Sequence, residues 1–221
     1  MKIRILTALM SIVLIFLMTF KSNAQLSVGG LLGGSSASVT GVNLKGFNPT
    51  SKMFLHGGAL GNYAFNKKIG LQLELLYSGK GYNLEYTGDY QSFKAGQIKI
   101  QQKLNYLAIP LMFQYKMGDH KNYFHLDVGI VSNYLLGSKF NGDITIKQPN
   151  GDIETHILQA EFSPEKKDFS YALGVGLIAN GISFAFRYEV GLNEIYIPET
   201  YSPKIFNRTF LVTVGYMIDL L

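Results

Sequence analysis

The chain has 221 residues and no cysteine, which excludes disulfides, thiolate metal sites, a cysteine nucleophile and a lipidated N-terminal cysteine. Its formal charge is +5, but three of the 20 basic residues (Lys2, Arg4, Lys21) and none of the 15 acids fall in the first 24 positions, leaving 17 basic against 15 acidic beyond them. A balance so near neutral gives no nucleic-acid footprint.

Lys2 and Arg4 precede an almost unbroken apolar run from Ile5 to Phe20, and Ser22-Asn23-Ala24 places small residues just before Gln25. That is the pattern of a secretory signal peptide cleaved after Ala24. The run is short for a spanning helix, which needs about 20 residues. The expected organisation is a signal peptide over 1–24 and one domain over 25–221. After Gln25 no apolar stretch reaches helix length, so a membrane-held mature protein would be a closed barrel or lie at the surface.

Strands are predicted over Leu26 to Gly33, Met53 to Phe65, Gly70 to Tyr86, Lys103 to Met117, Tyr123 to Leu136, Phe169 to Ala179, Ile182 to Val190 and Asn207 to Leu220. The signal is an apolar residue at every second position. It is clearest where Phe169, Tyr171, Leu173, Val175 and Leu177 alternate with Ser170, Ala172, Gly174 and Gly176. Asn180-Gly181 then predicts a type I′ hairpin turn, followed by Ile182, Phe184, Phe186, Tyr188 and Val190 alternating with Ser183, Ala185, Arg187 and Glu189. Each arm is about 10 residues, enough for a tilted strand to cross a bilayer. Pro110 interrupts the fourth strand, where it cannot donate to a ladder, so a bulge or local break is expected there.

Tight turns are predicted at 66–69, 118–122 and 180–181. Loops are expected over Gly34 to Lys52, Thr87 to about Gln101, Gly137 to Lys167 and Leu192 to Phe206, with Ile144 to Ile146 and Ile153 to Ile157 able to extend a hairpin inside the third. Eight strands with short and long connections in alternation describe an antiparallel up-and-down transmembrane β-barrel, short turns on the periplasmic side and long loops outside.

Alternation alone does not tell a lipid-facing apolar set from one lining a soluble lipocalin-like carrier. The aromatics favour the membrane. Tyr63, Phe65, Tyr115, Tyr123, Phe124 and Tyr216 fall near the tight turns. Tyr77, Tyr106, Tyr134, Phe169, Tyr171, Tyr188 and Phe210 fall near the long loops, giving two interfacial girdles. Phe184 and Val212 are then expected to face lipid, and Ser183 and Thr213 the lumen.

Three stretches carry a resemblance: Glu74-Leu75-Leu76-Tyr77-Ser78-Gly79-Lys80-Gly81, Asn105-Tyr106-Leu107-Ala108-Ile109-Pro110-Leu111, and Phe186-Arg187-Tyr188 with Gly191-Leu192. The chain resembles the PorT-like outer-membrane β-barrel proteins of Bacteroidetes over most of its mature length. The resemblance implies a Gram-negative outer-membrane location and an eight-stranded barrel. It implies no single activity; the namesake is tied to protein secretion.

The candidate lumen charges are Glu74, Asp127, Arg187 and Glu189. They form either a selectivity ring or a structural ion-pair cluster, and the cluster is favoured because eight strands leave an interior just filled by side chains. His125 and Asp127 share a face, but no serine stands beside them as a nucleophile would require. His56, His120 and His156 sit on separate segments without metal-ligand spacing, and no cofactor motif is present. The expected function is therefore non-enzymatic: an outer-membrane barrel in contact with lipid, with a structural or interaction role through its loops or a partner complex in the envelope or in secretion. The alternatives are a narrow small-solute channel and an exported soluble carrier.

Overall fold

The computed structural model describes residues 25–42, 47–90, 93–119, 121–147, 153–157, 164–195 and 204–220. The signal-peptide expectation and His120 lie outside the described residues. Among the described residues ten strands form: β1 (Gln25–Val42), β2 (Phe47–Thr50), β3 (Lys52–Ala64), β4 (Ile69–Tyr90), β5 (Phe93–Gly118), β6 (Asn122–Lys147), β7 (Ile153–Ile157), β8 (Lys167–Ala179), β9 (Ile182–Gly191) and β10 (Lys204–Asp219).

Eight of them close a ring. The antiparallel ladders run β1–β3–β4–β5–β6–β8–β9–β10, and β10 returns to β1 from Ser27↔Asp219 to Val42↔Lys204. The short β2 and β7 pair outside the ring, with the far ends of β4 and β6. The fold is thus all-β, an eight-stranded barrel with two accessory strands.

Local chemistry sets the hairpins. Asn180 and Gly181 adopt φ of 50° and 85°, the double positive φ that a type I′ turn requires and that this dipeptide tolerates best. At the turn from β3 to β4, Asn66 Oδ1 accepts from the backbone N–H of Lys68 at 2.8 Å and of Ile69 at 3.0 Å, an Asx-type closure. At Pro110 the β4–β5 ladder passes from Leu73↔Leu111 to Leu76↔Ala108 in unbroken register with the two intervening pairs missing. The expected break is there, without a bulge. A register shift appears instead on the other ladder, between Asn105↔Gly137 and Tyr106↔Leu135.

Every apolar set named above turns outward. Leu73, Leu75, Leu126, Val128, Leu173, Val175, Phe184 and Val214 are exposed, while Gln72, Glu74, Asp127, Ala172 and Ser183 are buried inside the ring. Inside-out alternation of this kind suits lipid and not water. Thr213 turns away from Val212 and Val214, and its hydroxyl donates to the Ala185 carbonyl at 3.2 Å. Val214→Arg, placing a cation on the lipid-facing band, is expected to lower stability in lipid vesicles by about 2–4 kcal/mol. Arg208→Lys, at a position already basic and outside the apolar stretch, is the neutral reference; urea titrations read both.

The strands are longer than expected. β5 and β6 each hold 26 residues and β4 holds 22, at least twice the 9–11 that a tilted strand needs to cross. Much of the segments read as loops at 34–52, 87–101 and 137–167 is strand: β1 runs on to Val42, β4 and β5 meet at 90–93, and β6 reaches Lys147 with β7 beside it, whereas of 192–206 only the start of β10 from Lys204 is strand among the described residues. Beyond the outer aromatics, β2, β4, β5, β6 and β7 lie in one continuous sheet. This outer extension stands clear of the apolar band.

Candidate functional site

The lumen holds the chain's charged chemistry. Because side chains alternate across each strand, Asn62 (β3), Gln72 and Glu74 (β4), Gln114 and Lys116 (β5) and Arg187 (β9) all point inward. They join in one hydrogen-bonded column. Lys116 Nζ donates to Asn62 Oδ1 at 2.8 Å. Asn62 Nδ2 donates to Gln114 Oε1 at 2.6 Å, and Gln114 Nε2 to Gln72 Oε1 at 3.2 Å. Gln72 Nε2 donates to Glu74 Oε1 at 2.6 Å. Arg187 closes the column with a two-pronged grip on Glu74, one prong at 2.8 Å. Glu74 is 1% exposed, so its charge depends on that partner.

A second pair stands toward the outer end. Lys80 Nζ donates to Glu189 Oε2 at 2.9 Å, both side chains buried, and lies 5.9 Å from the Tyr106 ring centre. Near it Asn207 Nδ2 donates to Asp168 Oδ2 at 2.9 Å. On the β6 wall His125 Nδ1 meets Asp127 Oδ1 at 2.8 Å. The small residues of β8 make room there. A Cβ on Gly176 would lie 2.4 Å from His125 Nε2, so that glycine is required by close approach and not by its φ.

Glu74, Asp127, Arg187 and Glu189 are therefore all in the lumen, each with a partner. The structure adds Lys80, which the sequence reading left unassigned, as the partner of Glu189. Two aromatics are corrected. Tyr106 is 1% exposed and belongs inside, not in the outer girdle. Tyr123 also turns to the interior, where Lys116 Nζ sits 4.9 Å from its ring centre. Both share parity with inward neighbours, Ala108 and His125. The remaining girdle aromatics stand outward or at the rim, with Tyr63 edge-on to Phe65.

Apolar packing closes what the polar column leaves. Leu76, Ala108, Met112, Val131 and Ala172 pack together at mid-height. At the outer end Val39, Tyr82, Leu84, Leu104, Tyr106 and Ile205 surround Ile195. Ile195 is held there through its own backbone, its N–H on the Ile205 carbonyl at 2.8 Å and its carbonyl accepting from Glu165 N–H at 2.7 Å. The segment after β9 thus folds back as a stopper. At the tight-turn end an open vestibule of about 270 Å³ is lined by Lys116, Tyr123, Asp219 and Lys121, among others, and Leu60, Ile178 and Met217 pack together at that end.

Among the described residues no serine or threonine hydroxyl bonds to His125, and no three His, Asp or Glu side chains gather as a metal set. His56 is buried with neither ring nitrogen hydrogen-bonded among the described residues. The side chain of His156 lies outside the described residues.

Residues 20–196 match the family model described as outer membrane protein beta-barrel domain. No curated protein matches the chain. Among solved structures it is similar to the outer membrane protein OprG of Pseudomonas aeruginosa, at 13% identity over 88% of this chain and 96% of that one, with a TM-score of 0.44. It is similar to Ail, the attachment invasion locus protein of Yersinia pestis, crystallised with the heparin analogue sucrose octasulfate, at 10% identity over 88% and 99%, TM-score 0.39. Neisserial surface protein A is similar at 10% identity over 88% and 99%, TM-score 0.41. No residue role follows from these likenesses.

Proposed function

Because the chain belongs to the outer membrane protein beta-barrel domain family, we propose that it is an outer-membrane barrel that acts through its outer extension and not through its lumen. The observation that carries this is the contrast between the two ends of the same strands. Inside the membrane band the interior is filled by paired charges and apolar packing. Outside it, β4, β5 and β6 continue as a sheet with β2 and β7 at its sides. A rigid barrel that lifts a sheet clear of the surface is a scaffold for contact. The partner class is another protein of the envelope or of a secretion assembly. Within the family we read the chain as a PorT-like member, on the Tyr106 to Leu111 motif, whose tyrosine lies under Lys80 and whose proline opens the β4–β5 ladder. We further read residues 1–24 as removed on export, so that the intact mass of the membrane-extracted protein begins at Gln25.

Two measurements test the site of action. Purified protein in planar bilayers is expected to give no discrete conductance steps; regular steps would place the activity in the lumen. In a deletion strain with an envelope phenotype, a chain with Asn141 to Glu161 trimmed to a short turn is expected not to complement. Arg187→Gln combined with Glu74→Gln, which removes a pair without leaving an orphan charge, is expected to complement. The opposite pattern, with both variants showing the heat-dependent gel shift of folded barrels, overturns the proposal.

A further inference from the structure

Above His56↔Ser78 the β3–β4 ladder ends, and β3 parts from β4. Phe54 fills the upper part of the split, against a bare stretch of β4: a Cβ on Gly79 would lie 2.8 Å from Phe54 Cβ, and one on Gly81 3.0 Å from Phe54 Cζ. Outside this seam lies an open groove of about 490 Å³ that also includes Met53, Leu55, Tyr77, Lys103 and Asn105. It is on the bilayer side of the wall. Met53 is 74% and Leu55 77% exposed, the two most exposed large apolar residues of the ring strands among the described residues.

The groove has a polarity along the barrel axis. Its apolar walls rise from the level of Tyr77 of the outer girdle, Leu55 two and Met53 four residues out from Gly57, the ladder partner of Tyr77 on β3. Lys103 lies four residues further out than Leu107, the ladder partner of Tyr77, about 13 Å along the strand at 3.3 Å per residue. That puts Lys103 beyond Tyr77, on the outer side of the aromatic girdle. Lys103 is paired directly with Lys139 across β5–β6, and Asn105 with Gly137. Both lysines are exposed, and neither forms an ion pair among the described residues. On the β4 side the row partners are Gly81 and Gly79, so no carboxylate stands in either row. Like charges directly opposite each other on a sheet repel. An anion between them would turn that repulsion into binding, as Arg and Lys clusters do for phosphate.

We propose that this groove is a binding site for an outer-leaflet lipid with an anionic phosphate headgroup, its acyl chain against Met53, Leu55 and Tyr77 and its phosphate held by Lys103 and Lys139, with Asn105 as a hydrogen-bond donor. Charge complementarity names the headgroup, and apolar walls that rise from the level of the outer girdle toward the lysines name the tail. The inference rests on the orientation of the barrel in the bilayer and not on what the outer extension contacts, so conductance steps or a complementing trimmed chain would leave it standing.

Native mass spectrometry of the detergent-purified full barrel tests it. Phosphatidic acid is the probe, with phosphatidylcholine of the same acyl chains and inorganic phosphate as the comparison arms. Phosphatidic acid is expected to be retained at least tenfold more tightly than phosphatidylcholine and not to be displaced by millimolar inorganic phosphate. Lys103→Gln with Lys139→Gln is expected to lose that preference, Lys103→Arg with Lys139→Arg to keep it, and Leu55→Asn to weaken retention of both lipids. Equal retention of the two lipids, or an unchanged preference in the Gln pair, overturns the proposal. So does displacement by inorganic phosphate with no effect of Leu55→Asn, which would make the lysines a surface anion patch without a lipid groove. The heat-dependent gel shift certifies each variant as folded.

Discussion

Replacing Glu74 with Leu lowers the stability of the barrel by about 3–5 kcal/mol, the size expected when one member of a buried ion pair is removed and the other is left uncompensated. The reason is geometric. Arg187 spends two donors on Glu74, and Gln72 donates to the same carboxylate. With the carboxylate gone, a guanidinium remains in a narrow interior whose other carboxylate on the same strand, Glu189, is already bound to Lys80. Glu74→Leu combined with Arg187→Met fills similar volume without charge and is expected to recover most of the loss, since replacing a whole buried pair by apolar groups is often neutral. Urea titrations in lipid vesicles read both. A single variant as stable as the parent would show that water enters the column and solvates the arginine, and the lumen would then be open.

Truncating Leu104 to Ala is expected to remove about 2–5 kcal/mol, but from the outer end alone. Leu104 is fully buried against Tyr82, Leu84, Tyr106 and Ile195, beyond the girdle and separate from the mid-height packing around Met112. The membrane holds the ring strands whatever happens above them, because an unpaired backbone group in hydrocarbon is so unfavourable. The loss should therefore appear as local opening. Hydrogen exchange is expected to speed up at amides of Tyr82, Leu84 and Ile205 and to stay unchanged at Val128 and Leu173. Uniform acceleration along β5 would show that the extension and the ring open as one unit.

The ring was legible in the sequence because lipid on one side and packing on the other impose a strict period of two. Phe169 to Val190 shows it, and its Asn180-Gly181 turn took the backbone its composition demands. Glu74, Asp127, Arg187 and Glu189 were readable as interior for the same reason. Where lipid ends, the period ends with it. Residues 87–101 read as a loop because strands standing in water outside the barrel carry polar groups on their exposed face, and no apolar set marks them. Lys80 was hidden by Gly79 and Gly81, which blank out the alternation on either side. Tyr106 and Tyr123 were misplaced by reading height along the barrel without reading parity; the inward positions of Ala108 and His125 on the same strands carried the correct answer. Pairs such as Lys80–Glu189, 109 residues apart, exist only through closure and leave no trace in local spacing.

The seam between β1 and β10 has a consequence for how the molecule comes to exist. Ser27 and Asp219, 192 positions apart, share a hydrogen bond of 2.6 Å, and of the ring strands the last in chain order is the one that completes the first. Contacts of such separation form slowly, since the intervening chain must be gathered before they reward it. Until then both β1 and β10 present open edges able to pair with any passing strand. The unfinished chain is thus adhesive at both ends, and a cell that makes it needs a catalyst that shelters the two edges and brings them together at the membrane.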